Sequence, residues 1–442
     1  MHLYCRTVIL AAFALIALSL PQPAPAQTPP AAPQATGQKD DHAAHRQPDA
    51  NATMPWHFVQ DGALFGMLNV QGSSRGETEG VVQNWWMGMW GRQVRKHELM
   101  LTAMFSLEPA TLGRDGYSEI FQVGETLDGQ PLVDRQHPHD FLVQAGFIWR
   151  YALTNRTGLS IGAAPVGEPA LGPVAFMHRP TAVENPTAPL GHHIFDSTHI
   201  SMGVVTATLD RGPWVVEASA FNGREPDEQR WDLMDPGALD SWAARVWFQP
   251  GDWQFQLSHG VLVDPEPLEP GTVRRTTGSV GWFRLRNDNY AAAFVAIGKN
   301  VTHHGDRHAL LAEASRQSGR LSLYTRLETL QVESDKLIGE AVEHDQDDPV
   351  TAFTLGGIFD VLRWHGVRGG LGADITLHGV PAVLEPAYGS NPVSFRLFFR
   401  LVPPIGPLGR MWNMRMSQPM MHPPDSKSHE GHHADAQASA LR

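Results

Sequence analysis

The sequence predicts an all-β protein: a single closed antiparallel transmembrane β-barrel of about 16 strands, with long extracellular loops and short periplasmic turns. Three observations lead there. Apolar and polar residues alternate at period two along much of the chain, as in Ser394–Val402. There Phe395, Leu397, Phe399 and Leu401 share one face and Ser394, Arg396 and Arg400 the other, with Phe398 as the exception. Beyond residue 26 no apolar run reaches the roughly 18 residues of a spanning helix, so any crossing is by strands. Short and long connections also alternate through the whole chain, as between the turns and loops of a membrane barrel.

Taken in order, residues 1–26 carry Arg6, an apolar run Thr7–Leu20 and Ala24-Pro25-Ala26, the order of a secretory signal. Cleavage there removes Cys5, the only cysteine, and with it any disulfide or lipid anchor. Residues 27–59 read as a disordered periplasmic lead-in, 60–402 as the barrel and 403–442 as a disordered Met/His-rich periplasmic tail. Strands are expected near 62–72, 81–91, 97–107, 141–152, 156–166, 197–209, 213–222, 240–249, 252–262, 274–286, 289–300, 307–317, 320–332, 350–363, 366–379 and 392–402. Tight links such as Asp210–Gly212, Pro250-Gly251 and Ser318-Gly319 alternate with long ones such as 108–140 and 167–196. Short turns on the periplasmic side place both termini in the periplasm.

Several segments repeat the two-faced pattern. Trp242, Ala244, Val246 and Phe248 oppose Ser241 and Arg245, while Leu321, Leu323, Thr325 and Leu327 oppose Ser322, Tyr324, Arg326 and Glu328. An Arg facing lipid near mid-bilayer costs on the order of 2–4 kcal/mol, so the charged faces turn to the lumen. Arg150, Arg245, Arg326, Arg396, Arg400, Glu328 and Asp374 are therefore candidate pore-lining residues, either as a charge ladder that biases ions or as structural pairs of the arginines with Glu98, Glu217, Glu328 and Asp374. Trp85–Trp90 and Tyr290–Gly298 are apolar on both faces and mark either girdle positions or a plugged part of the lumen.

The formal charge of -12, with 46 acidic against 34 basic residues, argues against a nucleic-acid partner. Four motifs stand out: D-R-Q-H-P-H-D-F (Asp134–Phe141), F-M-H-R-P (Phe176–Pro180), G-H-H-I-F-D-S-T-H-I-S (Gly191–Ser201) and F-N-G-R-E-P-D-E (Phe221–Glu228). With the signal and the strands, residues 60–402 resemble porin-like outer-membrane β-barrels of Gram-negative bacteria. The motifs resemble an uncharacterised barrel family often found beside copper and heavy-metal resistance genes. The resemblance implies an outer-membrane address, lipid as partner and a homo-oligomer as a compatible assembly. Unlike most such barrels, the chain does not end on an aromatic final-strand residue, since about 40 residues follow Val402.

Two clusters carry candidate chemistry. His137, His139, Asp140, His178, His192, His193, Asp196 and His199 fall on two long loops at the extracellular end, where imidazoles and carboxylates suit copper, zinc or nickel. The other reading of the same residues is a hydrogen-bonded, inward-folded loop without metal. In the tail, Met414, Met416, Met420, Met421, His422, His429, His432 and His433 pair soft thioethers with imidazoles, a donor set suited to copper. His303, His304 and His308 form a weaker third group.

Catalysis is disfavoured. Ser197, His199 and Ser201 are spaced roughly 6.5–7 Å apart along a strand, too far for a nucleophile–base bond, and no hydrolase, zinc-protease or phosphate-loop motif occurs. The chain is thus expected to be a porin-like channel or scaffold associated with transition metals, copper first. The alternatives are a passive barrel with a plugged lumen, an outer-membrane hydrolase and, last, a soluble periplasmic β-sandwich.

Overall fold

A two-faced strand in lipid must pair on both edges, because an unpaired backbone amide has no water to turn to. The computed structural model, which describes residues 53–404 apart from 124, 196–200, 234, 236, 268–269, 287–288, 304, 333 and 340–348, meets that demand with sixteen strands in one closed barrel. They are β1 (Thr53–Val70), β2 (Thr78–Val94), β3 (His97–Phe105), β4 (Leu142–Thr154), β5 (Thr157–Gly167), β6 (Ser201–Arg211), β7 (Trp214–Asn222) and β8 (Ser241–Phe248). β9 (Trp253–Val263), β10 (Thr272–Arg286), β11 (Asn289–Thr302), β12 (Gly305–Ser318), β13 (Leu321–Gln331), β14 (Pro349–Trp364), β15 (Val367–Gly379) and β16 (Val393–Val402) complete it. Each pairs antiparallel with its chain neighbours, and β1 closes on β16 from Leu64 opposite Leu401 to Val70 opposite Phe395. No edge remains, which excludes the sandwich.

Lipid-facing and inward-facing residues separate cleanly on β16: Leu397 is 53% exposed, whereas Arg396 and Arg400 are 1% and 0%. Trp90, Trp149, Trp214, Trp253 and Trp364 are exposed close to the short turns, the position of an interfacial aromatic girdle. Both ends of the described chain lie at that same end, since Thr53 pairs with Val94 and Val402 with Arg368.

Each expected strand has a counterpart among the described residues, with one boundary to correct. β1 starts at Thr53, so the edge placed between residues 59 and 60 falls inside a strand. Pro55 lacks an N–H and sits at a register shift between Met54 and His57, and Asp61 turns into the barrel where it is buried, so the apolar alternation that announces the strand is missing there. Residues 1–52 and 405–442, with the expected signal and tail, lie outside the described residues.

The interior differs from a polar pore wall. Every residue from Val166 to His192 is buried, because the loop after β5 folds into the lumen. Met87, Met89, Met100, Met104, Ile148, Val166 and Met202 on the inner wall pack with Phe176 and Met177 of that loop. Phe294 and Ala296 form a second cluster with Ile194 and Phe195. The two segments that are apolar on both faces are thus where the wall meets the plug. Leu397→Arg, which places a cation on the lipid face, is expected to lower stability by about 2–4 kcal/mol, read as an earlier guanidinium midpoint in detergent. An unchanged midpoint would mean that this face is not in lipid.

Candidate metal centre in the plugged mouth

Of the loop residues with metal-ligating side chains, the fold gathers some and separates others. A short bridge between Tyr117–Ser118 and Arg135–Gln136 fixes the chain just before His137. His192 and His193 begin a one-turn helix, His192–Phe195, after Pro189. One nitrogen each from His137, His192 and His193 lies within 4.8 Å of the others, and His193 groups in the same way with Glu225 and Glu266. The rings of His192 and His193 are 4.1 Å apart, with His137 at 6.1 and 5.9 Å from them.

Hydrogen bonds set the orientation of each ring. His192 Nδ1 donates to Pro189 O at 2.9 Å, which turns Nε2 away from that carbonyl. His137 Nδ1 lies 3.2 Å from Pro138 O, and its Nε2 faces Glu125 at 3.3 Å. His193 Nδ1 lies 3.2 Å from Glu225 and 3.4 Å from Glu266. Glu225 Oε2 is buried without a hydrogen-bond partner, an acceptor with capacity to spare inside the cluster.

Burial, reinforced by Arg230 and the neighbouring histidines, holds His137 well below the ordinary imidazole range, so the ring is neutral and its nitrogen lone pair is available. Burial also opposes charge on His193, but Glu225 and Glu266 outweigh it and raise that ring well above its usual value. Burial lifts the Glu225 carboxyl to about 8, with His193 pulling the other way and Glu266 adding to the rise. Three imidazoles in one group, and His193 with two carboxylates in the other, are each a borderline N/O donor set of the kind Zn and Cu(II) take.

Other candidates are engaged elsewhere. His139 gives Nδ1 to Glu108 at 2.7 Å; burial disfavours its charge, yet Glu108 raises its pKa overall. Asp140 is held by Arg230 at 3.1 Å, and burial lifts it to about 6 against that pairing. His178 stands edge-on to Trp85 at 5.3 Å, apart from the donor groups. His308 is exposed in β12. Asp196, His199, His304, Met414, Met416, Met420, Met421, His422, His429, His432 and His433 lie outside the described residues. Glu225 and Glu266 were not among the sequence candidates. The first lies in the F-N-G-R-E-P-D-E motif, which flagged its loop, whereas Glu266 sits in an unremarkable D-P-E-P turn.

The seven residues read as pore-lining are engaged with protein groups. Arg245 bonds Glu217, its cross-strand partner, at 2.7 Å and Glu168 of the plug at 3.3 Å. Arg326 bonds Glu313 at 3.0 Å and Thr187 O at 2.9 Å; Arg396 bonds Asp374 at 2.8 Å and Glu119 at 3.4 Å. Arg400 bonds Asp360 at 2.6 Å and meets Glu184 of the plug. Glu328 accepts from Gly191 N at 3.4 Å, and Arg150 reaches Asp210 at 2.7 Å with Glu98 at 4.0 Å. In place of a free ladder of charge stand pairs within the wall, as for Arg150, and pairs shared between wall and plug, as for Arg245, Arg326, Arg396 and Arg400. Those wall pairings run mainly between adjacent strands, because opposite charges directly across a ladder are already within reach.

Arg245→Met, which leaves the buried Glu217 without its guanidinium, is expected to cost about 3–5 kcal/mol, and adding Glu217→Gln should recover much of it, both read by denaturant unfolding. Arg179 in the plug binds Glu313 through two nitrogens at 2.7 and 3.2 Å and lies over the Phe294 ring. Arg179→Ala is expected to loosen the plug and raise single-channel conductance in a planar bilayer; unchanged conductance would show that this pair does not hold the lumen closed.

No family model matches the chain, and no curated protein matches it in sequence. Among solved structures it is similar to OmpF of Salmonella typhi in complex with daunomycin, at 9% identity over 80% of this chain and 100% of that one, with a TM-score of 0.47. It is similar also to a loop L8 deletion mutant of OmpT, an outer membrane protein of Vibrio cholerae, at 11% identity over 79% and 99% of the two chains and a TM-score of 0.46. The anion-selective porin from Comamonas acidovorans matches at 10% identity over 79% and 100%, with a TM-score of 0.45.

Proposed function

We propose that this protein is a porin-like barrel of the Gram-negative outer membrane whose extracellular mouth binds a transition-metal ion, with copper and zinc the leading candidates. The observation that carries the reading is the convergence of His137, His192 and His193 with Glu225 and Glu266, joined through His193. In this reading His137 supplies a neutral nitrogen donor, His193 must give up its proton as the ion binds, and the two carboxylates offset the charge of a divalent cation. The apolar exterior and the aromatic girdle support the membrane address, and the shared end of the short turns and both chain ends supports periplasmic termini. No catalytic role is proposed, and assembly as a homo-oligomer is tested by mass measurement of the detergent-solubilised barrel.

The Met and His donors of the tail, from Met414 to His433, form a second, independent copper proposal. A metal-free reading is favoured by one specific observation: His193 is already bridged to Glu225 and Glu266, so the cluster can serve as a latch of the plug.

Titration of the detergent-purified full chain with Zn(II) or Cu(II) separates the two. The triple variant His137→Ala, His192→Ala, His193→Ala is expected to bind one metal equivalent fewer than the parent, and Glu225→Gln to weaken that equivalent roughly 10–100-fold. Equal stoichiometry in parent and triple variant, with heat-modifiable migration intact, would leave the latch as the account of these residues.

A further inference from the structure

The inner wall of β2 and β3 is built from methionine where it meets the plug. Met87 and Met89 of β2 and Met100 and Met104 of β3 are at most 2% exposed, and they pack in one cluster with Met177 of the plug and Met202 of β6. Six of the eight methionines among the described residues are therefore in one sector of the lumen. Contact with the plug accounts for an apolar wall but not for this choice of side chain. The second plug–wall cluster, around Phe195 and Phe294, is made of Leu, Ile, Val, Phe, Ala and Tyr, without a methionine among its buried residues.

Register brings the thioethers together. Met87 stands directly opposite Met104, and Met89 is opposite Thr102, so that Met100 and Met104 are its diagonal neighbours. Directly opposed Cβ atoms are about 5 Å apart and diagonal ones about 7–8 Å, distances that flexible, unbranched side chains close at their sulfurs. Two polar groups border the cluster. Asp61 of β1, the cross-strand partner of Met87, turns inward and is 2% exposed, which brings a negative charge to a wall of neutral sulfurs. The His57 ring lies over Gly91, where a Cβ would stand 2.4 Å from its Nε2, and Gly91 is opposite Met100. Soft thioethers of this kind select Cu(I).

We propose that Met87, Met89 and Met104, with the Asp61 carboxylate beside them, are a binding site for a soft monovalent cation, Cu(I) or Ag(I). The sulfurs supply neutral soft donors, the carboxylate balances the single charge, and His57 stands on the side of the cluster toward the short turns. The site does not rest on the mouth cluster, which gathers borderline donors for a divalent ion.

Ag(I), which needs no reductant, is the probe, added to the detergent-purified full chain carrying ¹³C-methyl methionine. The methyl resonances of Met87, Met89 and Met104, each assigned by its loss in the single Leu variant, are expected to shift in step as one saturable equivalent, whatever the tail methionines take. Met87→Leu, Met89→Leu and Met104→Leu combined keep the volume of the wall and should abolish this equivalent. Asp61→Asn should weaken it roughly 10-fold or more. The triple histidine variant of the mouth should retain it, so loss of either site is read without the other. Resonances of these three methionines that stay fixed throughout the titration overturn the proposal, a result read on the parent protein alone. A folded triple Leu variant that still takes up the same number of Ag(I) equivalents overturns it as well, and the cluster is then packing alone.

Discussion

The interior is governed by the need to neutralise buried guanidinium groups. Arg245, Arg326, Arg396 and Arg400 are almost wholly excluded from solvent. A buried cation stripped of partners costs several kcal/mol even after relaxation. Each of these four answers that cost twice, with a carboxylate on the wall and an acceptor on an inward loop: Glu168, Thr187, Glu119 and Glu184 respectively. The plug is therefore not an accessory laid into a finished pore. Removing it would expose half of each pairing and demand that water enter to replace it.

Backbone geometry is fitted to this charge pattern. Arg150 and Asp210 are on β4 and β6, with Gly158 of β5 between them; a Cβ there would lie 2.4 Å from the guanidinium. Arg400 reaches Asp360 from β16 to β14 over Gly370 of β15, where a Cβ would stand 2.5 Å from Ile358 and 3.2 Å from the Asp360 carboxylate. In both places the missing side chain lets an ion pair span three strands. This is close approach rather than turn geometry, and it shows why glycine occurs inside strands whose neighbours are β-branched or aromatic.

The barrel was legible in the sequence because lipid imposes a local rule: at period two, one face is apolar regardless of what the chain does elsewhere. Ser394–Val402 obeys it almost perfectly, and the alternation of short and long connections marked where one strand gives way to the next. The lumen has no such rule. Met87 and Met89 are apolar on the inner face only because Phe176 and Met177 arrive from a loop some ninety residues later. The same holds for the site. His137, His192 and His193 were visible as a dense donor set, but Asp140 was set among the ligands because its partner, Arg230, is distant in sequence. Glu266 could not be chosen among loop acids of identical appearance, and it is the hydrogen bond from Glu225 N to Pro265 O that ties its turn to the rest of the cluster.

The donors of the mouth come from four separate connections: His137 after β3, His192 and His193 after β5, Glu225 after β7 and Glu266 after β9. The first two of these also supply the plug's bonds to the wall arginines. A ligand that requires all four segments in place adds its binding free energy to the closed arrangement alone, about 2.7 kcal/mol at a hundred times its dissociation constant. On the proposed reading, metal at the mouth and closure of the lumen are then one equilibrium, and linkage runs both ways. A variant that frees the plug must weaken the metal by the same factor that the metal opposes opening. The metal-free latch makes no such demand. Plug release would then leave metal retention unaltered, so it is the coupling, more than either measurement alone, that distinguishes an ion site from a set of hydrogen bonds.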